Sequence, residues 1–132
     1  MAIPLNSDVI DTPPIAAATV MVLRDGIAGL EVLLVRRHGN SGVLGGVHVF
    51  PGGKLDAADC AQWPDWLDRA PEAYGQALAE PGLDPAVAVG LHVAALRETR
   101  EECGLQLQPF QLVPWSRWVT PRQPSVILWS RP

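Results

Sequence analysis

Two cysteines in 132 residues, Cys60 and Cys103, are too few to staple a fold together. They form no C-x-x-C pair and lack the Cys/His spacing of a zinc site, so each is expected to be a free, partly buried thiol. No apolar run nears the ~20 residues that a membrane-spanning helix needs, so no membrane partner is expected. There is no long basic stretch, and the formal net charge is −4. That balance argues against binding of long nucleic acids through their backbone, which requires a positive stripe. It leaves a small anionic substrate, held through a metal, fully compatible. Residues 1–15 are interrupted by Pro4, Pro13 and Pro14 and carry Asp8 and Asp11. They lack the basic start and apolar centre of a secretory signal, and Ser130-Arg131-Pro132 is no peroxisomal address, so a cytoplasmic location is expected. Nucleotide-loop signatures are missing as well. The glycine-rich stretch 39–46 holds no G-x-G-x-x-G, and Gly53-Lys54 lacks both the earlier glycine and the following Ser or Thr of a phosphate loop.

What is present is enough for one core. At 48% hydrophobic and 18% charged residues, the chain is expected to form a single domain over 1–132. After an extended arm, the β-branched run 16–23 ends at the turn signal Asp25-Gly26, and a second apolar run spans 30–35, predicting a strand, a short loop and another strand. Arg36, Arg37 and His38 follow at that strand's end, where a basic pair either meets solvent or points at a phosphate. Residues 47–50 predict a short strand leading into Phe50-Pro51-Gly52-Gly53-Lys54. From 60 to 83 the chain is broken by Trp63-Pro64-Asp65-Trp66, Pro71 and Pro81-Gly82, with one short helix expected around 71–80. Its aromatics suit a lid or a substrate contact, although packing is expected of at least one tryptophan. Asp84 then reads as an N-cap with Pro85 at the first helical position, and Val87, Leu91, Ala94 and Ala95 recur at helical intervals. The predicted helix runs over 85–103 and stops at Gly104. His92 lies in its apolar half and reads as a core or boundary residue. Further strands are expected over 105–119, broken by Pro109 and Pro114.

The end of that helix carries the chemistry. It reads Arg97-Glu98-Thr99-Arg100-Glu101-Glu102-Cys103-Gly104-Leu105. At about 100° of rotation per residue, Glu98 and Glu102 lie nearly over one another, with Glu101 at the edge of the same face. Stacked glutamates repel by a few tenths of a kcal/mol (~0.2–0.5) per pair, so they call for a compensating cation. Arg97, four residues before Glu101, supplies part of it. A solvated helix face is the ordinary explanation for such a cluster taken alone.

The ordered set Gly53, Asp59, Arg97, Glu98, Glu101, Glu102 and Gly104 resembles the Nudix box, G-x5-E-x7-R-E-U-x-E-E-x-G-U, where U is a bulky aliphatic residue. Asp59 stands where the family usually has Glu, and Thr99 occupies the first aliphatic position. An insertion at about 60–84 splits the box. A split box resembles the branch that includes the coenzyme A diphosphatases, which also tends to read F-P-G-G-x-x-D-x-x-D and R-E-T-x-E-E-C-G. Both half-motifs occur here, and the resemblance runs over about 17–121. It implies an α/β fold, a Nudix-like α/β/α sandwich with a mixed sheet. Members of the branch continue past W-V-T-P, here Trp118-Val119-Thr120-Pro121, into another strand and a closing helix. The short remainder after Pro121 leads us to expect a truncated or altered member, incomplete at the C-terminus.

The resemblance implies Mg²⁺ or Mn²⁺ as cofactor and a small nucleoside diphosphate derivative as substrate, with coenzyme A or its thioesters favoured by the split box. A homodimer is compatible with this. Pyrophosphate hydrolysis requires the phosphate charge to be neutralised, a water to be positioned and its proton accepted. Mg²⁺ takes oxygen ligands at about 2.1 Å and keeps several waters, so a few carboxylates and a carbonyl suffice. Glu98, Glu101 and Glu102 are the candidate side-chain ligands, and Gly52 supplies its carbonyl. Arg97 orients a glutamate, a role its planar fork suits better than lysine. Asp59 braces Arg97 or a metal-bound water, and Gly53 shapes the turn. Lys54 and Arg37 are candidate phosphate contacts. No Asp or Glu occurs in 103–132, so a base on a loop after the box is excluded within this chain, and Glu98 or Glu101 is favoured in that role. The alternatives are a non-catalytic nucleotide-binding module without a competent base and, further behind, a purely structural domain.

Overall fold

A computed structural model of the chain describes residues 11–38, 46–80 and 82–119. Most of the expected N-terminal arm, nearly all of the glycine-rich stretch, and the continuation expected beyond Val119 lie outside them.

The run 16–23 divides between two ladders instead of forming one strand. Strand β1, Ala17–Thr19, pairs antiparallel with β6, Gly52–Lys54, whereas β2, Leu23–Gly26, forms a hairpin with β3, Gly29–Val32. The hairpin register pairs Gly26 with Gly29, so Asp25-Gly26 stays in the ladder and the turn falls on Ile27 and Ala28. A third antiparallel pair joins β4, Val35–Arg36, to β5, His48–Val49, which lies inside the strand expected over 47–50. The ladders described are all two-stranded and antiparallel.

Two α-helices accompany these strands among the described residues, giving an α/β fold. Helix α1, Pro71–Ala77, opens on proline within the helix expected around 71–80. Helix α2, Pro85–Cys103, has the bounds expected of it. Asp84 Oδ1 accepts the Ala86 N–H at 2.8 Å, and Pro85 occupies a position whose missing N–H costs nothing. At the other end Gly104 takes a φ of 71° and donates its N–H to the Arg100 carbonyl at 2.9 Å. That left-handed position is one only glycine adopts without strain.

The core lies where the inserted segment meets the first half of α2. Tyr74, Ala88 and Val89 are buried, with Trp66, Leu67, Leu78, Leu83 and Val93 packed around them. A fully buried side chain of valine size or larger contributes roughly 1.5–3 kcal/mol. Part of the insertion is therefore core. Trp66 meets the Tyr74 ring edge-on at 6.4 Å, while Trp63 is exposed. His92 also stands edge-on to Tyr74, at 4.9 Å, with Nδ1 2.9 Å from the Ala88 carbonyl, which fits a boundary residue. Cys60 and Cys103 are free and partly buried, as expected.

The strands expected over 105–119 are not formed. That stretch carries a single short 3-10 turn, Pro109–Gln111. Pro109 and Pro114 each remove a ladder donor, and among the described residues no strand pairs with the segment to reward extension.

Candidate active site

The β1–β6 register determines what the box helix can reach. Val20 N–H donates to Pro51 O at 2.8 Å and Leu55 N–H to Ala16 O at 2.9 Å, on either side of the paired residues. Hydrogen-bonded and non-bonded pairs alternate in an antiparallel ladder, so Gly52 (opposite Thr19) and Lys54 (opposite Ala17) turn their backbone groups away from β1. Helix α2 lies on that outward edge. Gly52 N–H donates to Glu102 Oε2 at 3.2 Å, and the Lys54 carbonyl accepts from Arg97 Nη2 at 3.2 Å. The Gly52 carbonyl, the expected backbone ligand, shares that outward orientation.

Gly52 of the bend is required by close approach to backbone, and Gly53 leaves the room that Glu98 occupies. A Cβ on Gly52 would stand 2.3 Å from the Ala18 carbonyl oxygen, and one on Gly53 would stand 2.3 Å from Glu98 Oε1. The glutamate thus lies directly against the Pro-Gly-Gly backbone.

Arg97 is the hub of the site. Its Nε and Nη2 take the two oxygens of Asp59, both at 2.9 Å, in a bidentate pair. Nη1 donates to Glu98 Oε1 at 2.9 Å and Glu101 Oε2 at 3.2 Å, and Nη2 also reaches the Lys54 carbonyl. A guanidinium has five N–H donors, and these contacts use all of them. Asp56 Oδ2 adds a fourth carboxylate within ion-pair distance, 3.4 Å from Nη2. The Asp59 side chain is 3% exposed and that of Arg97 25%, so this pair is shielded from solvent, whereas Glu101 at 58% is not. The Arg97 hydrogen bonds hold the Asp59 carboxyl below the usual carboxylate range against the opposing effect of burial. The same partnership raises the guanidinium's own value. Arg97 therefore stays charged and fully occupied, an orienting group with no donor left for a phosphate.

Thr99, at the box's aliphatic position, is completely buried, and its hydroxyl donates to the Ala95 carbonyl at 2.8 Å. The back-bond satisfies the hydroxyl, so threonine fills the aliphatic slot without an orphaned polar group.

Glu98, Glu102, Gly52 and Gly53 line a cleft of about 440 Å³ together with Val49, β4 and the two residues that follow it, Arg37 and His38. Arg37, one of the two candidate phosphate contacts, is thus a lining residue of the cleft. Lys54 is not among the lining residues, and its contribution to the site is its carbonyl. Among the described residues, no three His, Cys, Asp or Glu side chains converge into a ready-made metal cage. The donor chemistry nonetheless fits a hard divalent cation. Two carboxylates and an outward-facing carbonyl border the cleft, and four carboxylates share the Arg97 guanidinium, so hard oxygen donors gather on the side of the cleft formed by α2 and the bend.

Two contributors were missed at the level of sequence, the Lys54 carbonyl and Asp56. The first carries no side-chain signal. The second was legible as the spacing Asp56-x-x-Asp59 at the head of the 3-10 turn Ala57–Cys60, where the Asp56 N–H donates to Asp59 Oδ2 at 2.8 Å.

No family model matches the chain. Over 100 residues it is 32% identical to the acyl-coenzyme A diphosphatase NUDT19 of Gallus gallus, a match covering 62% of this chain and 26% of that protein. The chain thus spans about a quarter of its curated relative's length. The crystal structure of a Nudix hydrolase from Alicyclobacillus acidocaldarius is 32% identical, covering 74% of this chain and 40% of that one, with a TM-score of 0.49. The two half-motifs, the convergence of their residues on the Pro-Gly-Gly bend and the partial match to the acyl-coenzyme A diphosphatase make this chain similar to Nudix hydrolases, and to their coenzyme A diphosphatases in particular.

Proposed function

We propose that the chain is a divalent-metal-dependent hydrolase, or the box-bearing part of one, that cleaves the diphosphate linkage of a nucleoside diphosphate derivative, with coenzyme A or an acyl-coenzyme A as substrate. One observation carries the reading. The guanidinium of Arg97 is saturated by Asp59, Glu98, Glu101 and the Lys54 carbonyl, which ties the acidic end of α2 to the bend that follows β5. A solvated helix face has no need of such a clamp.

In this reading Glu98, Glu101, Glu102 and the Gly52 carbonyl hold Mg²⁺ or Mn²⁺, with Glu101 leaving its long, exposed contact to Arg97 to do so. The cation, when bound, neutralises phosphate charge and makes a coordinated water more acidic. The chain's own groups do the rest. Arg97 and Asp59 keep the glutamates aimed at the cleft. Arg37, which also lines the cleft, contacts a phosphate, with Lys54 in support from outside the lining. The water's proton passes to Glu98 or Glu101, each of which has one oxygen outside the Arg97 contacts. The substrate is a small molecule.

The test is release of 3′-phospho-AMP and phosphopantetheine from coenzyme A by the purified chain with Mg²⁺ or Mn²⁺. Glu102→Gln, which keeps an acceptor for the Gly52 N–H, is expected to lower kcat by about a hundredfold or more, the scale of losing a group that acts on the reacting centre. Wild-type activity retained by this variant would sink the assignment. The lack of any Asp or Glu in 103–132 favours one other reading, a nucleotide-binding module, for which tight metal-dependent binding without turnover would be the signature.

A further inference from the structure

Helix α2 keeps a buried glycine, Gly90, in its first half, where alanine would be the better helix former by about 1 kcal/mol. What lies against it explains the choice. A Cβ at Gly90 would stand 2.6 Å from Cys60 Sγ, 3.2 Å from Leu55 Cδ1 and 3.3 Å from the Asp59 carbonyl oxygen. All three atoms belong to residues 55–60, the stretch that carries the 3-10 turn Ala57–Cys60. The turn rests on bare helix backbone.

The same turn delivers the aspartate of the clamp. Cys60, whose sulfur lies over Gly90, directly follows Asp59, whose two carboxylate oxygens take the Arg97 fork at 2.9 Å. Gly90 and Arg97 are seven residues apart, so they share one face of α2, about 10 Å apart along its axis. Helical side chains lean toward the N-terminus, which aims Arg97 back along that face. A bidentate pair needs both of its hydrogen bonds aligned, and each weakens steeply as alignment is lost. The clearance over Gly90 and the alignment of the pair are therefore governed by one short turn.

We propose that Gly90 is a positioning residue: its missing side chain lets Cys60 seat the 57–60 turn directly on α2, this seat sets the Asp59 carboxylate against the Arg97 fork, and Arg97 in turn sets the orientation of Glu98 and Glu101. The last link rests on the function proposed above; the first two do not.

The experiment reads them separately. Hydrogen exchange of the Arg97 Nε–H, followed by ¹⁵N NMR, reports the Asp59 pair without metal or turnover. Gly90→Ala is expected to speed that exchange at least about tenfold, as local opening of the pair becomes easier. It is also expected to weaken Mn²⁺ binding by roughly 10–100-fold, the range for losing a group that orients a ligand. Adding Cys60→Ala removes the sulfur that the new methyl meets, and the double variant is expected to return to within about threefold of the parent in both readouts, as coupled neighbours do. Gly75→Ala sets a Cβ 3.0 Å from the Glu80 carbonyl oxygen, away from the turn, and is expected to leave the Nε–H protected, which separates positioning from general loosening. Unchanged exchange in Gly90→Ala would overturn the proposal. So would a double variant no better than Gly90→Ala, or a Gly75→Ala variant that exchanges as fast. A Gly90→Ala chain that fails to fold, and regains both the fold and the protected Nε–H with Cys60→Ala, would sustain it. Faster exchange in Gly90→Ala, rescued in the double variant, with no hydrolysis by the parent, would sustain the proposal while sinking the hydrolase reading.

Discussion

The two sides of Gly104 behave differently, although both were expected to form regular structure. Before it, α2 carries the Arg97 clamp, in which a buried aspartate, two glutamates and a backbone carbonyl converge on one side chain. After it, Phe110, Trp115 and Trp118 are 81%, 83% and 88% exposed, and one 3-10 turn is the regular structure in 105–119. Polar groups with directional partners have made the tighter region, and aromatic side chains the looser one. Apolar residues organise a segment only when another surface meets them, whereas a fork and carboxylates specify their own geometry.

Breaking the clamp should have the largest effect. Arg97→Ala strands a buried carboxylate and is expected to cost roughly 3 kcal/mol, the lower end for breaking a buried pair because the guanidinium is a quarter exposed. Urea unfolding would measure it, and a loss under about 1 kcal/mol would show that the clamp does not distinguish the two regions. Acid provides the next test. The folded Asp59 carboxyl titrates below its ordinary 3.8, so its contribution to stability is complete above about pH 4 and is lost as pH falls through the depressed value. Asp59→Asn should therefore be less stable than the parent at pH 6 but lose less stability between pH 4 and pH 2; equal losses would deny the shift. The smallest effect is expected beyond Gly104. Trp118→Ser should alter stability by no more than about 0.5 kcal/mol, as for exposed positions generally. A loss well above that would mean the segment is covered in solution and would erase the contrast.

Much of the site was legible residue by residue. Arg97, Glu98, Glu101 and Glu102 advertise a shared helix face through their spacing, and Asp84-Pro85 and Gly104 mark the ends of α2 through local chemistry that needs no tertiary partner. The division of 16–23 between two ladders was not legible, because an apolar run states its propensity but not which strand it will pair with. Nor were the strands expected over 105–119 a sound inference from propensity alone.

The chain's own order of residues determined where the box helix begins and ends, which carboxylates share its face, and which glycines can form a tight bend, since these follow from rotation per residue, capping and steric bulk. Tertiary structure alone decided that Gly52 N–H and the Lys54 carbonyl face that helix, that Asp59 is delivered to Arg97 from across the insertion, and that every donor of Arg97 is taken. Strand register and the docking of distant segments set those contacts, and both depend on the summed burial and hydrogen bonding of surfaces that no local stretch contains.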